Sequence, residues 1–261
     1  MQGTDDGAAV RRAPRQRPAE IQAYYRDPAV VAEYIARRTA QPLNGMLHRQ
    51  QVRFLNQVLG ERRPQRVLEV APGPARLTAE LAHSGRGIAI DGSAEMLAVA
   101  RDRLRDSQGN WLVVRGDAFS LPVADGSVDL AFAIRFVRRF APDVRRRLYA
   151  EIRRTLAPSG ALVIDAQNRA VSLPHRQRKG LERYPVFDAL YDRDELIGEI
   201  ETAGFRVRRL EGFVRHFAVQ SRLNQLRRHG LAAVARGMIG LLERVPSRAP
   251  STWMLLAEVT P

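Results

Sequence analysis

From Arg66 onward, short continuously apolar runs alternate with amphipathic stretches of helical period. The runs are Val67-Leu68-Glu69-Val70, Ile88-Ala89-Ile90, Trp111-Leu112-Val113-Val114, Val128 to Ile134 and Ala161-Leu162-Val163-Ile164. Each is unbroken by alternating polar residues, the pattern of a strand buried on both faces. Between them Leu97, Ala100 and Leu104 share one helical face, with Ser93 placed to cap it. Val144, Leu148, Ile152 and Leu156 recur every four residues until Pro158-Ser159-Gly160 stops the pattern. Asp192 and Glu195 have the spacing of a capping box, with Gly204 as the residue just past that helix. Strand and helix alternating at this spacing predict βαβ units and a doubly wound, Rossmann-like α/β sheet covered on both sides.

Two regions stand outside the alternation. Ile21 to Leu59 reads as two helices before the first strand, a helical cap over 21–65. Ala218 to Val245 reads as a basic helical insertion between the strand-like runs Phe205–Leu210 and Thr252–Val259. The last strand is expected to run antiparallel in an otherwise mostly parallel sheet. Residues 1–20 lack an apolar core and carry Arg11, Arg12, Arg15 and Arg17, as expected of a disordered tail and not of a secretory signal. The domain proper is thus expected over 66–261.

Composition adjusts this picture at two points. The chain has no cysteine, which removes disulfides and thiolate metal sites. No apolar run approaches the roughly 20 residues of a membrane span, so a cytoplasmic location is the default expectation. The net charge of +14 invites a nucleic-acid partner. Yet of the 42 basic residues only Lys179 is a lysine, a skew that GC-rich coding explains. No basic strand interleaved with aromatics is present, and a nucleic-acid partner is not expected.

The stretch Glu69-Val70-Ala71-Pro72-Gly73-Pro74-Ala75 carries the chemistry. An acid-bearing strand turns tightly through small residues toward a helix, letting a ligand approach the backbone. Asp91 closes the second strand, where a carboxylate can accept hydrogen bonds from ribose hydroxyls. Asp117 and Ala118 follow the third strand, where an adenine ring would lie. No Asp/Glu/His spacing suggests a metal site. The histidines His48, His83, His175, His216 and His229 lie scattered, and none stands out as a base.

These motifs, in this order, resemble those of class I S-adenosylmethionine (SAM) dependent methyltransferases, with spacing closest to the ubiquinone/menaquinone-type superfamily. Leu68 to Leu77 resembles their first motif and Ile90-Asp91-Gly92-Ser93-Ala94-Glu95-Met96-Leu97 their second. Gly116-Asp117-Ala118 and Leu121 to Leu130 resemble the third and fourth, and Arg154 to Leu162 the helix-turn-strand that follows. The resemblance covers roughly Arg66 to Asp165. It implies a SAM cofactor, with Glu69, Ala71 and Gly73 on its methionine and ribose side. Asp91, beside Gly92, would hold the ribose, Met96 would pack on the adenine, and Asp117 and Ala118 would meet the adenine edge. Ile134 would approach the methionine moiety, and Tyr34 would add an aromatic from the preceding helices.

Ala71 and Ala75 stand where the family's first and third glycines are usual, and Val137-Arg138-Arg139 stands where relatives often carry a histidine pair. Arg135 or Arg138 is then expected to face an anionic acceptor, and no catalytic residue is assigned. The expected reaction is methyl transfer to the O, N or C atom of a small organic acceptor. An RNA-modifying methyltransferase and a non-catalytic SAM-binding protein stand as alternatives. For the segment Asn168 to Arg176 and the insertion, an acceptor lid, a subunit contact and a peripheral contact with anionic lipid stay open, as do monomer and homodimer.

Overall fold

The computed structural model describes residues 41–105, 107, 109–184 and 186–260. The expected tail, the first of the two N-terminal helices and Tyr34 lie outside the described residues. The second helix, α1, spans Pro42–Arg62 and buries Met46, Phe54, Leu55, Val58 and Leu59. It ends where Arg63 takes the left-handed backbone.

The chain then runs through β1 (Arg66–Val70), β2 (Arg86–Asp91), α2 (Ala94–Leu104), β3 (Asn110–Arg115), β4 (Val128–Ala133), α3 (Pro142–Thr155) and β5 (Leu156–Asn168). It continues through α4 (Arg169–Lys179), β6 (Leu190–Tyr191), α5 (Arg193–Thr202), β7 (Phe205–Phe213), α6 (Phe217–Leu223), α7 (Ala232–Leu242) and β8 (Thr252–Val259). The strands form one sheet in the order β3-β2-β1-β4-β5-β8-β7, with the short β6 beside β5. All neighbours pair in parallel except β8, which runs antiparallel to both β5 and β7. The doubly wound sheet with its antiparallel last strand is the expected one.

Local sequence explains the element ends. The Ser93 hydroxyl accepts the Met96 N–H at 3.1 Å, capping α2. Asp192 and Glu195 form the capping box of α5, and Gly204 closes that helix at φ +83°. Apolar residues of β1, β4, β5 and β8 fill both faces of the sheet: Leu68, Ala131 and Ile164 on one, Val67, Leu130 and Val163 on the other.

Three expectations need correction. Trp111 to Val114 is not buried on both faces, for Leu112 is 61% exposed. β3 is the sheet edge, and the chain from Gly116 to Ser127 forms turns and no helix that would cover that face. The turn after β1 does not enter an α-helix. Residues 73–77 form successive turns leading to one 3-10 turn, Thr78–Glu80, because left-handed residues at 71, 73 and 75 interrupt helical propagation. Leu156 opens β5 and does not extend α3. The Pro158-Ser159-Gly160 stretch is absorbed in an irregularity where Val128 pairs with Leu156 but Leu130 with Ala161.

Candidate functional site

The carboxyl ends of β1, β2, β4 and β5 meet at one edge, the place where open α/β sheets collect ligands. Ala71, Gly73 and Ala75 all take left-handed backbone, at φ +58°, +58° and +53°. Glycine adopts this freely, whereas each alanine there stores about 1 kcal/mol. The Ala71 N–H donates to the Ile90 carbonyl at 2.8 Å, pinning the turn to β2. A Cβ added at Gly73 would meet nothing within 4 Å, so open space lies beside the backbone here.

Asp91 organises that space. Its Oδ2 accepts the Gly73 N–H at 2.9 Å and its Oδ1 the Ser93 N–H at 2.9 Å. Burial raises its pKa above the usual value, opposed by the bonds from Ser93, Gly73 and Gly92. Each carboxylate oxygen has a second lone pair, so accepting a hydroxyl of a ligand remains open to both. The Gly116 N–H donates to the Asp91 carbonyl at 3.1 Å, bringing Asp117 and Ala118 next to the same strand end. Asp117 itself is exposed and accepts the Phe119 N–H at 3.0 Å, as a turn residue does. Met96 and Ile134 are buried, at 2% and 8% exposure, and Ile134 packs in the core cluster under α1.

Glu69 is buried and accepts a hydrogen bond from the Thr78 hydroxyl. Burial pushes its pKa up to about 8, against the downward pull of the Thr78 hydroxyl and the Arg76 guanidinium. Arg76 in turn donates to Nδ1 of His48 and, at 3.1 Å, to the Gln51 side chain. His48 Nε2 meets Glu80 at 2.7 Å. α1 thereby holds the turn after β1 through neutral His48, set between a cation and an anion.

At the ends of β4 and β5, Arg138 is not directed at an acceptor. It is 2% exposed and donates to both oxygens of Asp188, at 2.7 and 2.8 Å, with Asp165 3.4 Å from its Nε. Arg139 and Arg176 also reach Asp188, at 3.5 and 2.5 Å. Burial alone would raise the Asp188 pKa, but the three guanidiniums hold it below the usual carboxylate range. Removing one partner of such a cluster would strand a buried charge, so Arg138 is committed to structure. Asp165 accepts the Arg135 N–H at 2.5 Å, fixing the left-handed residue after β4. Thr78, Asp165 and Asp188 escaped the sequence reading. Thr78 alone left a trace, a hydroxyl nine residues after a strand acid. Among the described residues no group of three His, Asp or Glu side chains is placed to hold a metal ion.

Comparison with known proteins bears on the domain that carries this site. Residues 67–160 match the family model of a methyltransferase domain. The ubiquinone/menaquinone biosynthesis C-methyltransferase UbiE of Azotobacter vinelandii is 37% identical over 131 residues, 47% of this chain and 50% of that protein. Its counterpart in Pseudomonas fluorescens is 35% identical over the same length, covering 47% and 49%. The chain thus spans about half the length of the curated relatives it matches. Among solved structures, the magnesium protoporphyrin IX methyltransferase of Synechocystis with bound SAH has TM-score 0.65 at 12% identity, covering 94% of this chain and all (100%) of that one. A SAM-dependent methyltransferase of Thermotoga maritima has TM-score 0.58 at 16% identity, covering 91% and 100%. These two likenesses speak for the fold alone. From the ordered motifs, the strand order and the family match together, residues 67–160 belong to a methyltransferase domain, set in a sheet similar to that of SAM-dependent methyltransferases.

Proposed function

We propose that the chain transfers a methyl group from SAM to a small organic acceptor. The observation that carries this reading is the Asp91 carboxylate set at the end of β2 and bonded to the Gly73 backbone, beside the open space of the β1 turn. That arrangement suits a ribose on Asp91 and an amino-acid moiety toward Glu69. SAM, when bound, supplies a sulfonium whose methyl group is already activated for in-line displacement. The chain's own residues then have to hold the cofactor, orient the acceptor and exclude water. Asp91, Gly92 and Gly73 would hold the ribose side, Met96, Asp117 and Ala118 the adenine side, and Glu69, Ala71 and Ile134 the methionine side.

Two segments support a reading as lids over an acceptor. β7 leaves the carboxyl edge of the sheet at Phe213, and β8 re-enters there at Thr252. Between them α6 and α7 form the helical insertion. The Phe217 ring at its start packs on His175 of α4, with centroids 4.7 Å apart, so the insertion and α4 converge. α4, capped by the Asn168 side chain, has no buried residue. This supports the lid reading of both segments. Among the described residues no helix is long and apolar enough to cross a membrane.

The test incubates the protein with methyl-labelled SAM and either small-molecule extracts or bulk RNA. Label in an extractable small organic product supports the proposal. Label in RNA alone, or SAM binding without transfer to any pool, overturns it.

A further inference from the structure

A recess of about 470 Å³ opens between α1, the end of β7 and α7, and none of the cofactor-side residues named above lines it. Four arginines do: Arg49 and Arg53 of α1, Arg215 just past β7 and Arg244 just past α7. Among the described residues none of these four forms an ion pair. Elsewhere Arg62, Arg138, Arg145, Arg154 and Arg169 each meet a carboxylate. Arg49 and Arg53 stand four residues apart on one helix, where like charges repel and destabilise. An anion between them relieves that repulsion.

The acids at the recess do not neutralise it. Glu243 is spent on the fold: its carboxylate accepts from Gln50 Nε2, the Val214 N–H, the Arg215 N–H and Gln220 Nε2, at 2.8–3.0 Å. Counting both carboxylates, Glu211 and Glu243, against four guanidiniums still leaves the recess with excess positive charge. From Phe213 to Ala257 the chain has seven arginines, and Glu243 is its one acid. The remaining walls include buried Met46, Phe54 and Phe213. Gln50 also lines the recess, and its Oε1 is buried with no hydrogen-bond partner, an acceptor for a ligand hydroxyl or N–H.

We propose that this recess binds a phosphate-bearing organic anion. The planar guanidinium fork matches phosphate oxygens, the apolar residues suit the attached carbon skeleton, and the volume suits a small molecule. The same chemistry is offered by a soluble phosphate ester and by the headgroup of an anionic phospholipid.

The experiment uses the full chain and two probes, inorganic pyrophosphate by calorimetry and phosphatidylglycerol-containing vesicles by flotation. Arg49→Ala/Arg53→Ala and Arg244→Ala are compared with Arg86→Ala/Arg146→Ala, which removes two exposed arginines elsewhere. Thermal unfolding and SAM binding check that each variant is folded. Saturable pyrophosphate binding, weakened about tenfold or more by the recess changes and retained in the control pair, supports a soluble ligand. Vesicle binding with the same dependence, without pyrophosphate binding, supports the headgroup. Binding of neither probe, or equal loss in the control pair, overturns the proposal.

Discussion

The carboxylate of Asp91 accepts the backbone N–H of Gly73 at 2.9 Å, so the last residue of β2 holds the turn that follows β1. One side chain thus shapes the loop and presents lone pairs to a ribose. Asp91→Ala should lower SAM affinity by about 1–3 kcal/mol, the cost of a lost charged hydrogen-bonding group. Asp91→Asn, which keeps one carbonyl oxygen, should fall between. Calorimetric titration checks this, and wild-type affinity in the alanine variant would remove Asp91 from the cofactor site.

Glu69 gives the site a pH dependence. Burial raises its pKa from 4.5 to about 8. The native state therefore keeps a proton that the unfolded chain has lost, and the resulting stability declines as pH rises from 4.5 through about 8. A cationic methionine moiety nearby favours the ionised form, so SAM binding near pH 7 should release a proton. Affinity should rise with pH and level off above about 8. Glu69→Gln should stabilise the free protein at pH 8 to 9 and flatten the pH profile of binding. Titrations in buffers of different ionisation enthalpy measure the proton directly; affinity constant from pH 6 to 9 with no proton released would contradict the assignment.

His48 titrates in the opposite sense. Burial first, then the Arg76 charge, lowers its pKa below 6.5, while Glu80 opposes this and Arg103 adds to it. Its neutral Nδ1 accepts from Arg76, so protonation breaks the contact. The stabilisation is present above pH 6.5 and lost as pH falls through the native pKa. His48→Ala should cost about 1 kcal/mol at pH 7.5, and its difference from wild type should shrink by pH 5. Urea unfolding of both proteins across that range reads the difference, and a gap that stays constant would show His48 acting by packing alone.

The parts of the fold that were legible in the sequence are those fixed by local pattern. Buried parallel strands announce themselves as unbroken apolar runs, and Ser93, Asp192 and Gly204 mark helix ends by chemistry confined to one turn. Leu112 was misjudged because a run of four apolar residues does not reveal that its strand lies at an edge. Within the candidate site, Asp91 and Gly73 were legible as strand-end signals, but their direct bond spans 18 residues and emerges only with the parallel pairing of β1 and β2. Arg138 was misread for a related reason. Its partner Asp188 lies 50 residues away, in a segment with no periodic pattern of its own. A charge set by its position after a strand looks the same in sequence whether it meets a substrate or a distant carboxylate.

Glu243 offers a way to loosen the insertion without deleting it. Its two carboxylate oxygens receive four N–H groups, from α1, the chain past β7 and α6, so one side chain fastens the insertion to the domain. Ala235 and Ile239 of α7 add apolar contacts around Met46, but Val234, Met238 and Leu241 on another side of that helix are exposed. The Glu243 fastening therefore shares the attachment with this apolar cluster and with the Asn224 side chain, which accepts the Leu43 N–H at 3.1 Å. Glu243→Ala leaves four donors to find water and should cost about 2–4 kcal/mol. The sheet keeps its own core, so the loss should be local. Limited trypsin digestion should then cut first among Arg222, Arg227, Arg228 and Arg236, several-fold faster than in wild type. If the insertion is an acceptor lid, SAM binding survives while turnover on the acceptor drops. Turnover unchanged in a variant whose insertion is demonstrably loosened would reject the lid, whereas loss of SAM binding as well would show that Glu243 supports the whole domain.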